Sequence, residues 1–276
     1  MIVVAITGAL LVIATTFKVK ERPEFTQVDK PLSLGQQLKA TFTSKSFLIL
    51  VAQNFMSILV SSLVTGSVFY LADYVVKMPT IILLMFIFIP LLGGVPITNL
   101  IRKKIGLVQA QQLLLTIAGI GLVALTFVPN SIIPVCLALA GFGLSGPQTL
   151  TNILFAEVAD EDELKHGVRR EGAFFGINAL ITKPAQSIAI ALPAFILAAA
   201  HFVTRESNAG VLFENQPASA IFGIKVFIGI IPGIAMLLGA AILFFFPLKG
   251  KYLEKVQADV LVLHAKKKAL LEKQSS

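Results

Sequence analysis

Hydrophobic residues along this chain gather into seven long runs, at 1–17, 47–74, 80–101, 107–128, 131–155, 174–200 and 220–246, separated by breaks marked by charges, Pro or Gly. About 20 mostly apolar residues, rising roughly 1.5 Å each, cross a hydrocarbon core about 30 Å thick. The pattern therefore predicts an all-α membrane protein with about seven transmembrane helices and little chain left for a soluble domain. The composition agrees: 56% of the 276 residues are hydrophobic and 14% charged, against about 45–50% and about 25% in a soluble domain. Mean hydropathy is +0.85.

Charge then orients the runs. Of the 23 basic residues, all but Lys77, Arg205, Lys183 and Lys225 fall in alternate breaks or in the tail. By the positive-inside rule this puts the C-terminus in the cytoplasm and Met1 outside, in a multi-pass protein of the plasma membrane. Basic residues confined to short breaks set orientation and offer no surface for nucleic acid, which is excluded as a partner. An outside N-terminus without a basic leader makes residues 1–17 read as the last helix of a preceding region. Residues 18–46, with Pro23 and Pro31 among charges, read as a cytoplasmic linker, 47–246 as a six-helix bundle and 247–276 as a basic cytoplasmic tail. In that tail Leu253, Val256, Val260 and Leu263 recur at helical spacing among lysines, which predicts a helix lying on the anionic inner leaflet.

All 15 carboxylates sit in breaks, at span ends or in the tail, so the hydrocarbon core contains no acid. Lys183 lies about ten residues into its span, roughly 15 Å deep, and its stem is too short to snorkel to either interface. An ionisable group at that depth faces a pathway or a partner. Asn178, Thr182, Gln186 and Ser187 share its half of the helix and extend a polar stripe. Lys225 is near enough to its span end to snorkel. Gln53, Asn54, Gln148, Thr149, Thr151 and Asn152 either line the same cavity or hydrogen-bond neighbouring helices. Dense Gly and Pro within the spans favour close helix packing, with Lys183-Pro184 the exception. Cys136 stands alone in an apolar run and reads as a small core residue. His166, His201 and His264 have no metal-site spacing, and no nucleophile–base pair lies in the spans, so neither a metal centre nor an enzyme is indicated. A seven-helix receptor or retinal protein fits less well, because Lys225 is too shallow for a buried Schiff base and the chain has no tryptophan.

The segment from Ala156 to Glu171 packs acids first and bases later, as either a solvated loop or an ion-paired latch over the bundle mouth. Its residues Ala156-Glu157-x-x-Asp160-x-x-Glu163-x-Lys165, then Arg169-Arg170-Glu171-Gly172-Ala173-Phe174-Phe175-Gly176 and Lys183 in the next helix, resemble the penultimate cytoplasmic loop and eleventh helix of the glycoside-pentoside-hexuronide:cation symporters, the melibiose-permease-like branch of the major facilitator superfamily. The basic turn Ile101 to Gly106 resembles that superfamily's loop between helices eight and nine, and Phe69-Tyr70 through Tyr74 the end of helix seven. Glu157 stands where an aspartate is usual. The resemblance covers nearly the whole chain, as helices 6–12 of twelve.

It implies the C-terminal half of a cation-coupled symporter for a sugar or related small solute. The partner is an N-terminal six-helix half, either a separate chain or the remainder of the polypeptide. A lysolipid or other organic solute is the alternative cargo. The coupling cation, Na+ or H+, is expected on acids of that other half, with no cofactor or metal here. Lys183, Asn178, Thr182, Gln186, Gln148, Asn152 and Asn54 are the expected cavity residues. Glu157, Asp160, Glu163, Lys165, Arg169, Arg170 and Glu171 are the expected cytoplasmic gate.

Overall fold

The structure is a computed structural model that describes residues 2–18, 33–204 and 215–275. Pro23, Pro31 and Arg205 lie outside the described residues. Every regular element described is helical. In chain order these are α1 (Ile2–Lys18), α2 (Leu34–Thr43), α3 (Lys45–Tyr70), α4 (Thr80–Ile105), α5 (Leu107–Phe127), α6 (Ile133–His166), α7 (Glu171–Ala199), α8 (Ala218–Lys225), α9 (Ile231–Ile242) and α10 (Gly250–Ser275). A π-helical turn, Leu71–Val76, prolongs α3, and a second, Val226–Ile230, joins α8 to α9.

All seven apolar runs are helical, and six of the helical stretches are long and apolar enough to cross a membrane: Lys45–Val76, Thr80–Ile105, Leu107–Phe127, Asn130–His166, Glu171–Ala199 and Ala218–Phe245. The first run forms α1, whose apolar stretch Ala5–Thr16 is shorter and exposed throughout.

Two breaks are more ordered than their composition suggests. The charged segment after the fifth run is not a loop, because α6 continues through it to His166. Ala, Glu and Leu are good helix formers, and Lys165 and His166 complement the C-terminal end of the helix dipole. Gly167, at φ 73°, then stops the helix with its N–H on the Glu163 carbonyl at 2.7 Å. Left-handed backbone of this kind favours glycine. The expected linker contains α2, opened by a capping box between Ser33 and Gln36 and joined to α3 by Ser44 alone, which ends one helix and caps the next.

The bundle runs α4, α6, α5, α9, α3, α7 by neighbour, with α6 also touching α3. Its core includes Phe47, Leu63, Leu83, Leu122, Leu137, Leu154 and Phe227, all buried; Cys136 is buried with them. Glycine lets the axes approach. A Cβ on Gly141 would fall on the Ile87 carbonyl oxygen, and one on Gly143 would lie 2.5 Å from the Leu114 carbonyl oxygen.

Burial is uneven. About half of the most apolar stretch is buried in four spans, but only 17% in α4 and 28% in α7. The outer faces of α4, α5 and α9 carry large apolar residues such as Leu92, Ile120 and Leu238, suited to lipid. Helix α7 exposes both kinds of residue, Leu180, Ile190 and Phe195 together with Gly172, Gly176, Ala179, Lys183, Gln186 and Ser187.

The glycine contacts give the first test. Gly141→Leu and Gly143→Leu should each destabilise the bundle by about 1–3 kcal/mol or more, as overpacked cores do, lowering the thermal midpoint of purified protein. Gly93→Leu, where a Cβ would meet nothing within 4 Å, should leave the midpoint unchanged. Equal effects at the three positions would contradict this packing.

Candidate functional site

Two sets of polar residues stand out, one at the basic end of the bundle and one on the open face. At the basic end the extension of α6 carries three consecutive carboxylates, Glu161, Asp162 and Glu163, all buried. Successive residues on a helix point about 100° apart, so the three face different neighbours. Glu161 accepts from Ser46 at 2.5 Å, Lys165 at 2.6 Å and Tyr252 at 3.0 Å. Asp162 takes a two-pronged contact from buried Arg170, Nε to Oδ2 at 2.9 Å and Nη2 to Oδ1 at 2.5 Å, while His166 Nδ1 lies 3.0 Å from the same Oδ1. Glu163 meets Arg169 at 2.9 Å, Lys267 at 2.8 Å and His264 at 3.0 Å.

Arg169 also binds Asp160 at 2.9 Å and pairs with Glu171. Burial works against its charge, yet Glu171, Asp160 and Glu163 together hold its pKa above the usual guanidinium value. It is a fixed cation. Arg170 reaches further, donating from Nη1 to the Gln37 carbonyl of α2 at 3.2 Å and lying over the Phe174 ring at 5.6 Å. Burial, with Glu161 beside it, raises the Tyr252 phenol above its ordinary pKa, so it stays a donor. Gln257 Nε2 donates to Glu157 at 2.7 Å.

All seven residues expected at a gate, Glu157, Asp160, Glu163, Lys165, Arg169, Arg170 and Glu171, are thus hydrogen-bonded at this end. The segment is cross-linked and not a free flap, with Glu161, Asp162, Glu163 and Arg170 buried and Lys165 exposed. Sequence reading missed Glu161, Asp162, Ser46, Tyr252, Gln257, His264 and Lys267; the available signals were the i,i+4 pairs Glu161–Lys165 and Asp162–His166. The tail also differs from expectation. The apolar face of α10 is turned to α6, with Val256 and Val260 buried and Leu253 against the same core. Leu263 is half-buried, while Leu261, Val262 and Leu270 of the same helix are exposed.

On the open face, Asn54 donates to Asn178 at 2.9 Å and ties α3 to α7. A cleft of about 240 Å³ is lined by Asn54, Ser57, Ser61, Ser62, Gln148 and Gln186. No carboxylate lines it. Lys183 is exposed one turn before Gln186, and its Nζ lies 3.4 Å from the Gln186 Oε1. Asn152 is exposed on α6 and is not among the residues lining the cleft. Thr182 is turned inward, its hydroxyl donating to the Asn178 carbonyl at 2.8 Å. Other polar residues join helices or remain half-satisfied. Gln111 donates to Thr151 at 3.2 Å, and Gln53 donates to Ser57 while its oxygen is unpaired. The serines of α3 were not anticipated, although their i, i+4 spacing in an apolar run is a visible signal.

Among the described residues no group of His, Cys, Asp and Glu is placed to hold a metal ion. The arrangement is a polar cleft, with Lys183 outside its lining but one turn from Gln186, on one side of an apolar bundle whose charged end is cross-linked. Comparison with known proteins gives the family. A stretch of 126 residues is 29% identical to a glucuronide carrier protein homolog of Escherichia coli (strain K12), covering 46% of this chain and 26% of that protein. A stretch of 109 residues is 30% identical to an uncharacterised symporter of Synechocystis sp., covering 40% of this chain and 20% of that protein. The matched stretches therefore span about a quarter or less of these relatives' own length. The model of the MFS/sugar transport protein family matches residues 1–250, and the chain belongs to that family, as a multi-pass membrane protein of the major facilitator type.

Proposed function

We propose that the chain works as the C-terminal half of a cation-coupled symporter for a sugar or related solute, by alternating access against a six-helix N-terminal half. The observation that carries this reading is the open face of α7. It presents Lys183 with Gly176, Ala179, Gln186 and Ser187, next to a polar cleft lined by no carboxylate, while Leu180, Ile190 and Phe195 are exposed on the same helix. Small residues on a span serve close helix contact or a cavity, and an ammonium at that depth requires a counter-charge. That charge is supplied by an acid of the other half or by the solute. A sugar acid suits the lysine and has a parallel in the glucuronide carrier relative.

In this arrangement residues 1–17 form the last helix of the first half, 18–46 the linker, 47–246 the second bundle and 247–276 the tail. The basic end faces the cytoplasm across the plasma membrane, and its ion pairs close the inner gate.

Three measurements test the reading. In the assembled transporter, Lys183→Ala should abolish accumulation or uncouple it from the ion gradient while leaving the protein folded. A second change neutralising the partner acid should restore part of the binding, because losing both members of a buried pair is milder than losing one. Wild-type accumulation with unchanged ion dependence would make the lysine structural. For the gate, Arg169→Gln removes contacts to Asp160, Glu163 and Glu171 together and should slow turnover by about tenfold, a population shift of roughly 1.4 kcal/mol, with little change in solute affinity. Unchanged turnover would leave the network a purely structural one. For orientation, cysteines at Ser131 and Thr43 in a Cys136→Ala background should label from outside and only after permeabilisation, respectively; the reverse pattern inverts the topology.

A further inference from the structure

We infer that α2 is an interfacial helix and that the cleft beside it is a binding site for the headgroup of an anionic phospholipid. The case begins with where α2 is held. Ser44 alone separates it from α3, and Arg170, at the start of α7, donates to its Gln37 carbonyl. Thr41, buried on the inner side of α2, faces the bundle. Anchored to the first turns of two spans, α2 lies at the level where those spans leave the bilayer.

Its other sides are arranged for that level. Leu38 and Phe42, one turn apart, are each 48% exposed, and nothing else in the described bundle covers them. Next around the helix, at about 100° per residue, come Lys39 and Thr43. These line a cleft of about 330 Å³ with Gln36, Ala40 and His166 of α6. The cleft contains donors and a cation but no carboxylate. Lys45, exposed at the start of α3, adds a second positive charge at the same level. An apolar pair flanked by lysines and hydroxyl or amide donors matches the chemistry of a lipid that presents acyl chain and phosphate side by side. The tail helix, whose lysines suggest the same role from sequence, has its stripe of Val256 and Val260 buried against α6, although Leu261, Val262 and Leu270 are exposed. In α2 that face is open.

The chain has no tryptophan, so Phe42→Trp provides a single fluorescent reporter on the exposed face. The full chain carrying it would be reconstituted in phosphatidylcholine vesicles containing a minority of phosphatidylglycerol, with bromine on the acyl chains of one lipid or the other. Quenching should occur with either. Weighted for abundance, it should favour brominated phosphatidylglycerol by roughly fivefold for each lysine engaged. Adding Lys39→Gln should lower that preference by about the same factor, while Lys104→Gln, an exposed lysine of the same end, should leave it intact. Equal quenching by the two lipids would overturn the headgroup site. Absence of quenching by both would mean that protein or water covers this face, and would overturn the inference altogether. Because membrane contact alone is read, failure here would leave the transport reading untouched.

Discussion

Three adjacent carboxylates that cannot reach water organise the charged end of this bundle. Glu161, Asp162 and Glu163 are each 4% exposed or less. A buried charge left unpaired costs about 3–5 kcal/mol, so each must have a partner, and their 100° separation sends the three in different directions. Ser46 of α3 and Tyr252 of α10 come to the first, Arg170 of α7 to the second, and Arg169 with His264 and Lys267 of α10 to the third. One helix end thus determines the placement of α2, α3, α7 and α10. Apolar burial contributes alongside it, because Val256 and Val260 each add about 1.5–3 kcal/mol when fully covered. Those contacts set how close α10 lies; the carboxylates set its register.

The same economy of charge explains the open face. With every described acid of the α6 extension at the basic end and none in the hydrocarbon-spanning part, Lys183 has no carboxylate to meet within its own bundle. Its nearest polar contact is an amide oxygen at 3.4 Å, too long and too neutral to balance an ammonium. A bundle whose buried carboxylates Glu161, Asp162 and Glu163 are matched at one end, with a cation near its middle that meets none of them, is electrostatically incomplete. Its α7 surface mixes small and polar residues around Lys183 with exposed Leu180, Ile190 and Phe195.

Much of the architecture was legible in the sequence because a span is dictated by length and apolarity, quantities that need no knowledge of neighbours. Dense glycine was rightly read as close packing, as Gly141 and Gly143 demonstrate. Reading failed where a residue's state depends on its partner. Glu161 and Asp162 look solvated in a run of charges, and only the arrival of Arg170, Tyr252 and Ser46 buries them. The stripe of Val256 and Val260 announces that α10 covers something, but periodicity does not distinguish lipid from protein. Helix α2 carried a readable start in Ser33 and Gln36, hidden by the charged composition around it. For the cleft, Asn54, Gln148 and Gln186 were anticipated as polar residues in spans, whereas their convergence with Ser57, Ser61 and Ser62 depends on how α3, α6 and α7 pack.

The end opposite the ion pairs is held by a different kind of contact. There Tyr70 meets Phe202 and Phe227 edge-on at 5.8 Å each, and Tyr74 meets Phe202 at 5.0 Å. The two π-helical turns lie at this end too, and Asn130 donates to the Val75 carbonyl of one of them at 2.8 Å. Edge-on aromatic pairs contribute about 0.5–1.5 kcal/mol beyond area and tolerate sliding, whereas a two-pronged guanidinium contact tolerates almost none. π-Helical turns loosen the register of the helices that contain them. The bundle therefore couples a stiff charged end, moving as one piece with α2 and α10, to an end whose helix tips can shift without breaking a charge pair. That difference in stiffness is what a body needs if it is to tilt during transport while its two ends open by different means.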